Sequence, residues 1–140
     1  MIEIPKILQK SILIKRGATY YCTHPKTGLK SHYLIVMNRT ENGILVFLVN
    51  TTTSILGREK FRDLNGFPKE TIVYIPKGSV SFLTKDCCID CNSITKDLED
   101  DFTKRVKGLH CYELPNELVE LVRKGICKSP QVEPKIKKAV

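Results

Sequence analysis

The chain has 140 residues, is 41% hydrophobic and 27% charged, and carries a formal net charge of +8. That size and balance fit one globular domain with a real core, and exclude a fibrous, collagen-like or wholly disordered chain. No run of about 18 apolar residues occurs, so no membrane-spanning helix is expected, and the positive excess points to a polyanionic partner (nucleic acid, an anionic membrane face or an acidic protein) or to a basic, merely solvated surface.

The N-terminal stretch MIEIPKILQKS carries charges throughout and has no apolar signal-peptide core, which leads to the expectation of a cytoplasmic protein. Apolar groups at Ile4, Ile7, Leu8 and Ile12 follow helical spacing, with Pro5 suited to a first helical position. Lys15-Arg16-Gly17 breaks that pattern, and Ala18–Cys22 reads as a short strand. His24-Pro25-Lys26-Thr27-Gly28 is a loop by its Pro and Gly.

Tyr33–Met37 is almost wholly apolar and predicts a central strand buried on both faces. Asn42-Gly43 is a strong hairpin signal, and Ile44–Val49 is the returning strand. From Ile55 to Lys69 the chain is polar and basic, with Leu64-Asn65-Gly66 as a turn signal, and reads as a long connection or a loop with a minor strand. Thr71–Ile75 is a β-branched strand ending at Pro76, and a further short strand falls near Cys87–Cys91.

Thr95 is placed to cap a helix whose stripe is Leu98, Phe102 and Val106, ending near Gly108. A last helix is expected from about Pro115, burying Leu118, Leu121 and Val122 and ending at Gly125. Residues 1–128 then make a single domain, and residues 129–140 a basic tail that is loose by composition. The class is mainly β with C-terminal helices (α+β): a small antiparallel barrel or curled sheet decorated by helices. No Gly-rich phosphate loop is present, so nucleotide-dependent chemistry has no support.

Three constellations could carry chemistry. Cys88 and Cys91 have CxxC spacing, with His110-Cys111 downstream. Zinc is disfavoured because the second pair is adjacent and a strand would point Cys88 and Cys91 to opposite faces. Free thiols and no metal or other cofactor are therefore expected. The second constellation sets His24, Lys30, Ser31 and His32 against the hydroxyl run Thr51, Thr52, Thr53 and Ser54. Cutting RNA without a metal needs a base for the 2′-hydroxyl, an acid for the leaving 5′-oxygen and donors for the phosphoryl group between them. Histidine suits proton transfer near neutral pH, and lysine and hydroxyls suit the anion. The third is Arg58, Lys60 and Phe61, cations with an interleaved aromatic that could track a phosphate backbone and stack a base. Each has a plainer reading: buried apolar thiols, a surface turn with β-forming threonines, and a solvated loop anchored by Phe61.

The lead-in Lys15-Arg16-Gly17-Ala18-Thr19-Tyr20, the strand His32-Tyr33-Leu34-Ile35-Val36-Met37, the strand end Asn50-Thr51-Thr52-Thr53-Ser54, and Ser81-Phe82-Leu83-Thr84-Lys85-Asp86 together resemble the MazF/PemK-like toxins of bacterial toxin–antitoxin systems. The resemblance covers roughly residues 15–92. It implies a small SH3-like barrel with attached helices, usually a homodimer, that cleaves single-stranded RNA without metal and is held by a cognate antitoxin. It places the site at Lys30–His32 and Thr51–Ser54. His32 and Lys30 would flank the scissile phosphate, Thr52 or Ser54 would hold it, and His24 would be a second proton carrier. Lys26, Ser31, Thr51, Thr53, Arg58, Lys60 and Phe61 would bind RNA. The family loop usually supplies an arginine followed by a proline before the second strand; Ser31-His32 stands there in this chain. That departure keeps a second expectation open: a non-catalytic module on the same barrel that binds nucleic acid or protein.

Overall fold

The computed structural model describes Pro5, Lys10 and residues 12–140. Ile4, Ile7 and Leu8 of the expected first helix lie outside the described residues. Seven strands follow in order: β1 (Ala18–His24), β2 (Gly28–Arg39), β3 (Leu45–Thr52), β4 (Ile72–Ile75), β5 (Cys87–Asp90), β6 (Thr95–Leu98) and β7 (Tyr112–Glu113). Among the described residues from Ala18 onward, four α-helices accompany them: α1 (Ile55–Asn65), α2 (Glu99–Val106), α3 (Asn116–Lys128) and α4 (Pro134–Ala139). The molecule is thus mixed α+β.

Every strand pairing is antiparallel, in the order β4-β5-β3-β2-β1-β7, with β6 also on β3. β3 is the hub. One edge pairs with β2, and the other pairs first with β6 over Leu45–Leu48 and then with β5 at Thr51 and Thr52. That change of partner, with a bulge between Val36 and Asn38 in β2, curls the sheet.

The apolar runs of β2 and β3 are buried on both faces, as their sequence predicts. Ile35, Met37, Phe47 and Val49 join one core with Val119, Val122 and Ile126 of α3. Leu34, Val36, Val46 and Leu48 join the other with Tyr20, Phe102 and Val106. Alternate side chains on a strand point to opposite faces, so two cores need two apolar sets in one run. Each fully buried side chain of this kind contributes about 1.5–3 kcal/mol. The Asn42-Gly43 turn closes the hairpin, with Gly43 at φ 70° where a side chain would be strained.

Several elements differ from the sequence reading. Residues 55–65 form a helix rather than a loop. Among the residues of α1 only Arg62 is buried, bonded to Asp63 and to the Tyr74 hydroxyl, so the helix carries no apolar stripe to announce it. The Leu64-Asn65-Gly66 signal is its C-terminal cap: Gly66 is left-handed and its N–H reaches back to the carbonyls of Arg62 and Asp63. Thr95 does not cap a helix. It starts β6, because the free edge of β3 takes Thr95–Leu98 into the ladder, and α2 begins only at Glu99.

Gly125 does not end α3, which runs on to Lys128. It is a close-approach position: a Cβ there would lie 2.5 Å from the Glu70 carbonyl oxygen and 2.7 Å from Cys91 Sγ. Residues 129–140 include α4, whose Ile136 is buried with Val132 in the α3 core. The buried Ser129 hydroxyl donates to Asn92 Oδ1 at 2.6 Å, tying this segment to the end of β5.

Candidate nucleic-acid interface

The β1–β2 hairpin carries the site. Its turn is closed by the Thr27 N–H on the His24 carbonyl at 2.9 Å, and His24 faces Gly28 across the ladder. Lys30, Ser31 and His32 therefore belong to β2 itself rather than to a loop before it. This places them on a stiff ribbon beside the end of β3, where Thr51, Thr52, Thr53 and Ser54 follow.

His32 is the pivot. Its Nδ1 lies 2.8 Å from the Thr51 carbonyl oxygen. A carbonyl can only accept, so Nδ1 carries the hydrogen and Nε2 keeps the lone pair when the ring is neutral. Nε2 has no partner among the described residues. The Thr51 hydroxyl accepts from the Tyr33 N–H at 3.3 Å, and the Thr52 hydroxyl accepts from the Ser54 N–H at 3.2 Å. The Thr51 carbonyl thus holds the His32 ring, and the two hydroxyls brace the strand end around it.

Two adjoining clefts share Lys30, His32 and Thr52. The smaller, about 190 Å³, is also lined by Tyr21, Ser31, Tyr33, Thr51, Thr53, Leu83, Thr84, Lys85 and Cys87. The larger, about 540 Å³, is also lined by Lys26, Thr27, Asn50, Ser54, Arg58 and Ser93 to Thr95. Among the described residues, no carboxylate lines either cleft, while Lys26, Lys30, Lys85 and Arg58 do. Ser54 lines the larger cleft just before the first turn of α1, and its hydroxyl makes no capping bond to the helix. Such an arrangement can hold an anion and offer one unsatisfied imidazole nitrogen to it.

His24 stands apart. It is buried, its Nε2 is 2.9 Å from both carboxylate oxygens of Asp97, and its Nδ1 accepts the Lys26 N–H at 3.0 Å. Asp97 also pairs with Arg105 at 3.2 Å. Both ring nitrogens are engaged, so His24 holds the hairpin turn against β6 and lines neither cleft.

Arg58 does line the larger cleft, and its guanidinium is paired at 3.5 Å with Asp90, which is buried and is not itself a lining residue. Lys60 lies two residues further along α1, about 200° around the axis, and Phe61 packs on Phe67 with ring centroids 5.8 Å apart. Neither lines the clefts.

The cysteines are free. Cys87, Ile89 and Cys91 face the α3 core, and Cys88 is buried on the other face. Burial pushes the Cys88 thiol up to about 11 and raises Cys87 and Cys91 as well. These thiols are protonated at neutral pH and act as small apolar groups. Among the described residues, no group of three or more His, Cys, Asp and Glu is placed to hold a metal ion.

Two features of the site were not singled out from the sequence. Lys85 contributes a cation from the segment before β5, and Tyr21 and Tyr33 add aromatic rings to the smaller cleft. Tyr21 and Tyr33 are direct partners across the β1–β2 ladder. The hairpin register would have revealed them, but the position of the turn at residues 25–27 has to be known first.

No model of a known protein family matches the chain, and no curated protein matches it.

Proposed function

We propose that the protein is an endoribonuclease acting on single-stranded RNA without a metal, of the MazF/PemK-like toxin type. The observation that carries this reading is His32, whose Nε2 is left without a partner among the described residues and which lines both clefts with Lys30 and Thr52, clefts where no described carboxylate is among the lining residues. In the proposed step Nε2 takes the proton of a ribose 2′-hydroxyl. The 2′-oxygen attacks the adjacent phosphorus, the bond to the 5′-oxygen breaks, and that oxygen takes a proton from the Lys30 ammonium or from water. Lys30, Thr52 and Ser54 hold the charged phosphoryl oxygens. Ser31, Thr51 and Thr53, with Lys26 and Arg58, lie where flanking phosphates would run.

The curled antiparallel sheet of mostly short strands supports the SH3-like barrel that this family implies, with the helices as attachments. A homodimer in the cytoplasm and an acidic, initially disordered antitoxin segment over the basic clefts belong to the same reading, supported by the +8 charge. His24, engaged by Asp97, has no part in the chemistry proposed.

The test is cleavage of an unstructured RNA in chelator. Wild type should cut it, and His32→Ala should lose about a hundredfold or more of the rate. Equal cutting by both would remove His32 as the base.

A second reading is favoured by one observation. With His24 engaged, only one imidazole lines the clefts, and Ser31-His32 replaces the arginine-proline expected there. A module that binds RNA without cutting it needs no second proton carrier. Tight, salt-sensitive binding with no turnover would establish that reading over the first.

A further inference from the structure

Four aromatic rings form a continuous shelf beside the smaller cleft. Tyr21 and Tyr33 have ring centroids 4.7 Å apart, Tyr33 and Phe82 5.3 Å, and Phe82 and Tyr112 4.7 Å. They come from β1, β2, the segment before β5 and β7. The register explains why they meet: Tyr21 pairs with Tyr33, and Tyr112 pairs with Thr19, two residues before Tyr21 on the same face. The shelf is fixed in place, since the Tyr33 hydroxyl donates to the Phe82 carbonyl at 3.1 Å.

Its inner rings rest on the α3 core, which accounts for Tyr33 and Phe82. It does not account for Tyr21. That ring is 54% exposed, contributes nothing to the core on this face, and lines the cleft with Lys30, Lys85 and His32. An outward aromatic beside two lysines that no described acid neutralises within the cleft offers a π-face next to an anion site. An unpaired nucleotide presents those two groups in the same order, a base and a phosphate. An acidic peptide has the charge without an obligatory flat ring.

We infer that Tyr21, backed by Tyr33, is a base-stacking subsite for an unpaired nucleotide whose phosphate is held by Lys30 and Lys85. This deepens the nucleic-acid reading above and rests on it. It does not rest on cleavage. Stacking of this kind tolerates any base, because each has a π-face, so the subsite adds affinity and register more than sequence choice.

The test uses the full chain and two probes of equal length: an unstructured oligoribonucleotide, and a chain carrying the same phosphates with an abasic position at each residue. Tyr21→Ala should weaken binding of the first by about tenfold or more and leave the second unchanged, and Tyr21→Phe should retain the wild-type affinity for both. Circular dichroism checks that Tyr21→Ala, a surface change, remains folded. If Tyr21→Ala binds the normal oligomer as wild type does while Lys30→Ala and Lys85→Ala weaken it, the stacking subsite is overturned and the anion site stands. If Tyr21→Ala weakens both probes equally, the ring is acting on the fold or on phosphate, and the inference is likewise overturned. If wild type binds neither probe at low salt, the nucleic-acid reading itself fails and the subsite with it.

Discussion

A histidine can move a proton only if one ring nitrogen is left over after the fold has used the other. His32 meets that condition and His24 does not. Two residues of one type, eight positions apart, therefore have opposite prospects. His24→Ala should remove a part-buried bond to Asp97 and leave that carboxylate to Arg105 alone. The expected cost is about 1–3 kcal/mol of stability, read by denaturant unfolding, with RNA binding by the folded variant unchanged. His32→Ala should lose the Nδ1 bond to the Thr51 carbonyl and, unlike His24→Ala, about a hundredfold or more of the cleavage rate. The difference was not legible from the two histidines themselves. It depends on Asp97, which lies 73 residues from His24, and on which strand the segment at residue 95 joins. Lys30, His32 and the Thr51–Ser54 run were legible as a group because a hairpin must bring its strand ends together, and Asn42-Gly43 marks that hairpin plainly.

Elements that carry a strong apolar run beside a clear turn are legible in the sequence, and those without an apolar stripe, or set by an open strand edge, are not. β2 and β3 are apolar on both faces and flank a clear turn, so their existence and burial follow from the sequence. β6 is a four-residue strand with alternating exposure, and only the open edge of β3 makes it a strand rather than a helix start. α1 carries charges around most of its surface, and without an apolar stripe its stop signal, Leu64-Asn65-Gly66, reads in sequence as a loop signal. Gly125 shows the same confusion in α3, where a glycine expected at the helix end serves a close helix–turn contact. Gly125→Ala should destabilise the fold by about 1–3 kcal/mol, because the Glu70 carbonyl 2.5 Å from the new Cβ is backbone and cannot swing away. Thermal unfolding measures this directly. A neutral or stabilising outcome, expected of an ordinary exposed helix glycine, would mean that α3 does not pack so closely on the 69–71 turn.

At the scale of the whole molecule, the buried thiols set an upper pH limit. An unfolded thiol ionises near 9.0, whereas burial raises Cys88 to about 11 and moves Cys87 and Cys91 in the same direction. Between those values the unfolded chain releases protons that the folded chain keeps, so rising pH favours unfolding. The stability from Cys88 is fully present below about pH 9 and is lost as the pH climbs through about 11. Urea unfolding from pH 8 to 10.5 should show this decline, and Cys88→Ala should flatten part of it.

The same whole-molecule view joins charge to site. Within a chain of net charge +8, the two clefts that meet at His32 are lined by four cations and, among the described residues, by no carboxylate, and an aromatic shelf borders one of them. The central claim is that His32 Nε2 activates a ribose 2′-hydroxyl there. Its most direct test is one gel of an unstructured RNA in chelator, run beside the same sequence methylated at every 2′-oxygen, with wild type and His32→Ala. The account predicts fragments ending in 2′,3′-cyclic phosphate and 5′-hydroxyl from the unmodified RNA with wild type. It predicts none from the methylated strand, and a loss of about a hundredfold or more with His32→Ala. Cutting of the methylated strand, undiminished cutting by His32→Ala, or no cutting by folded wild type would contradict it.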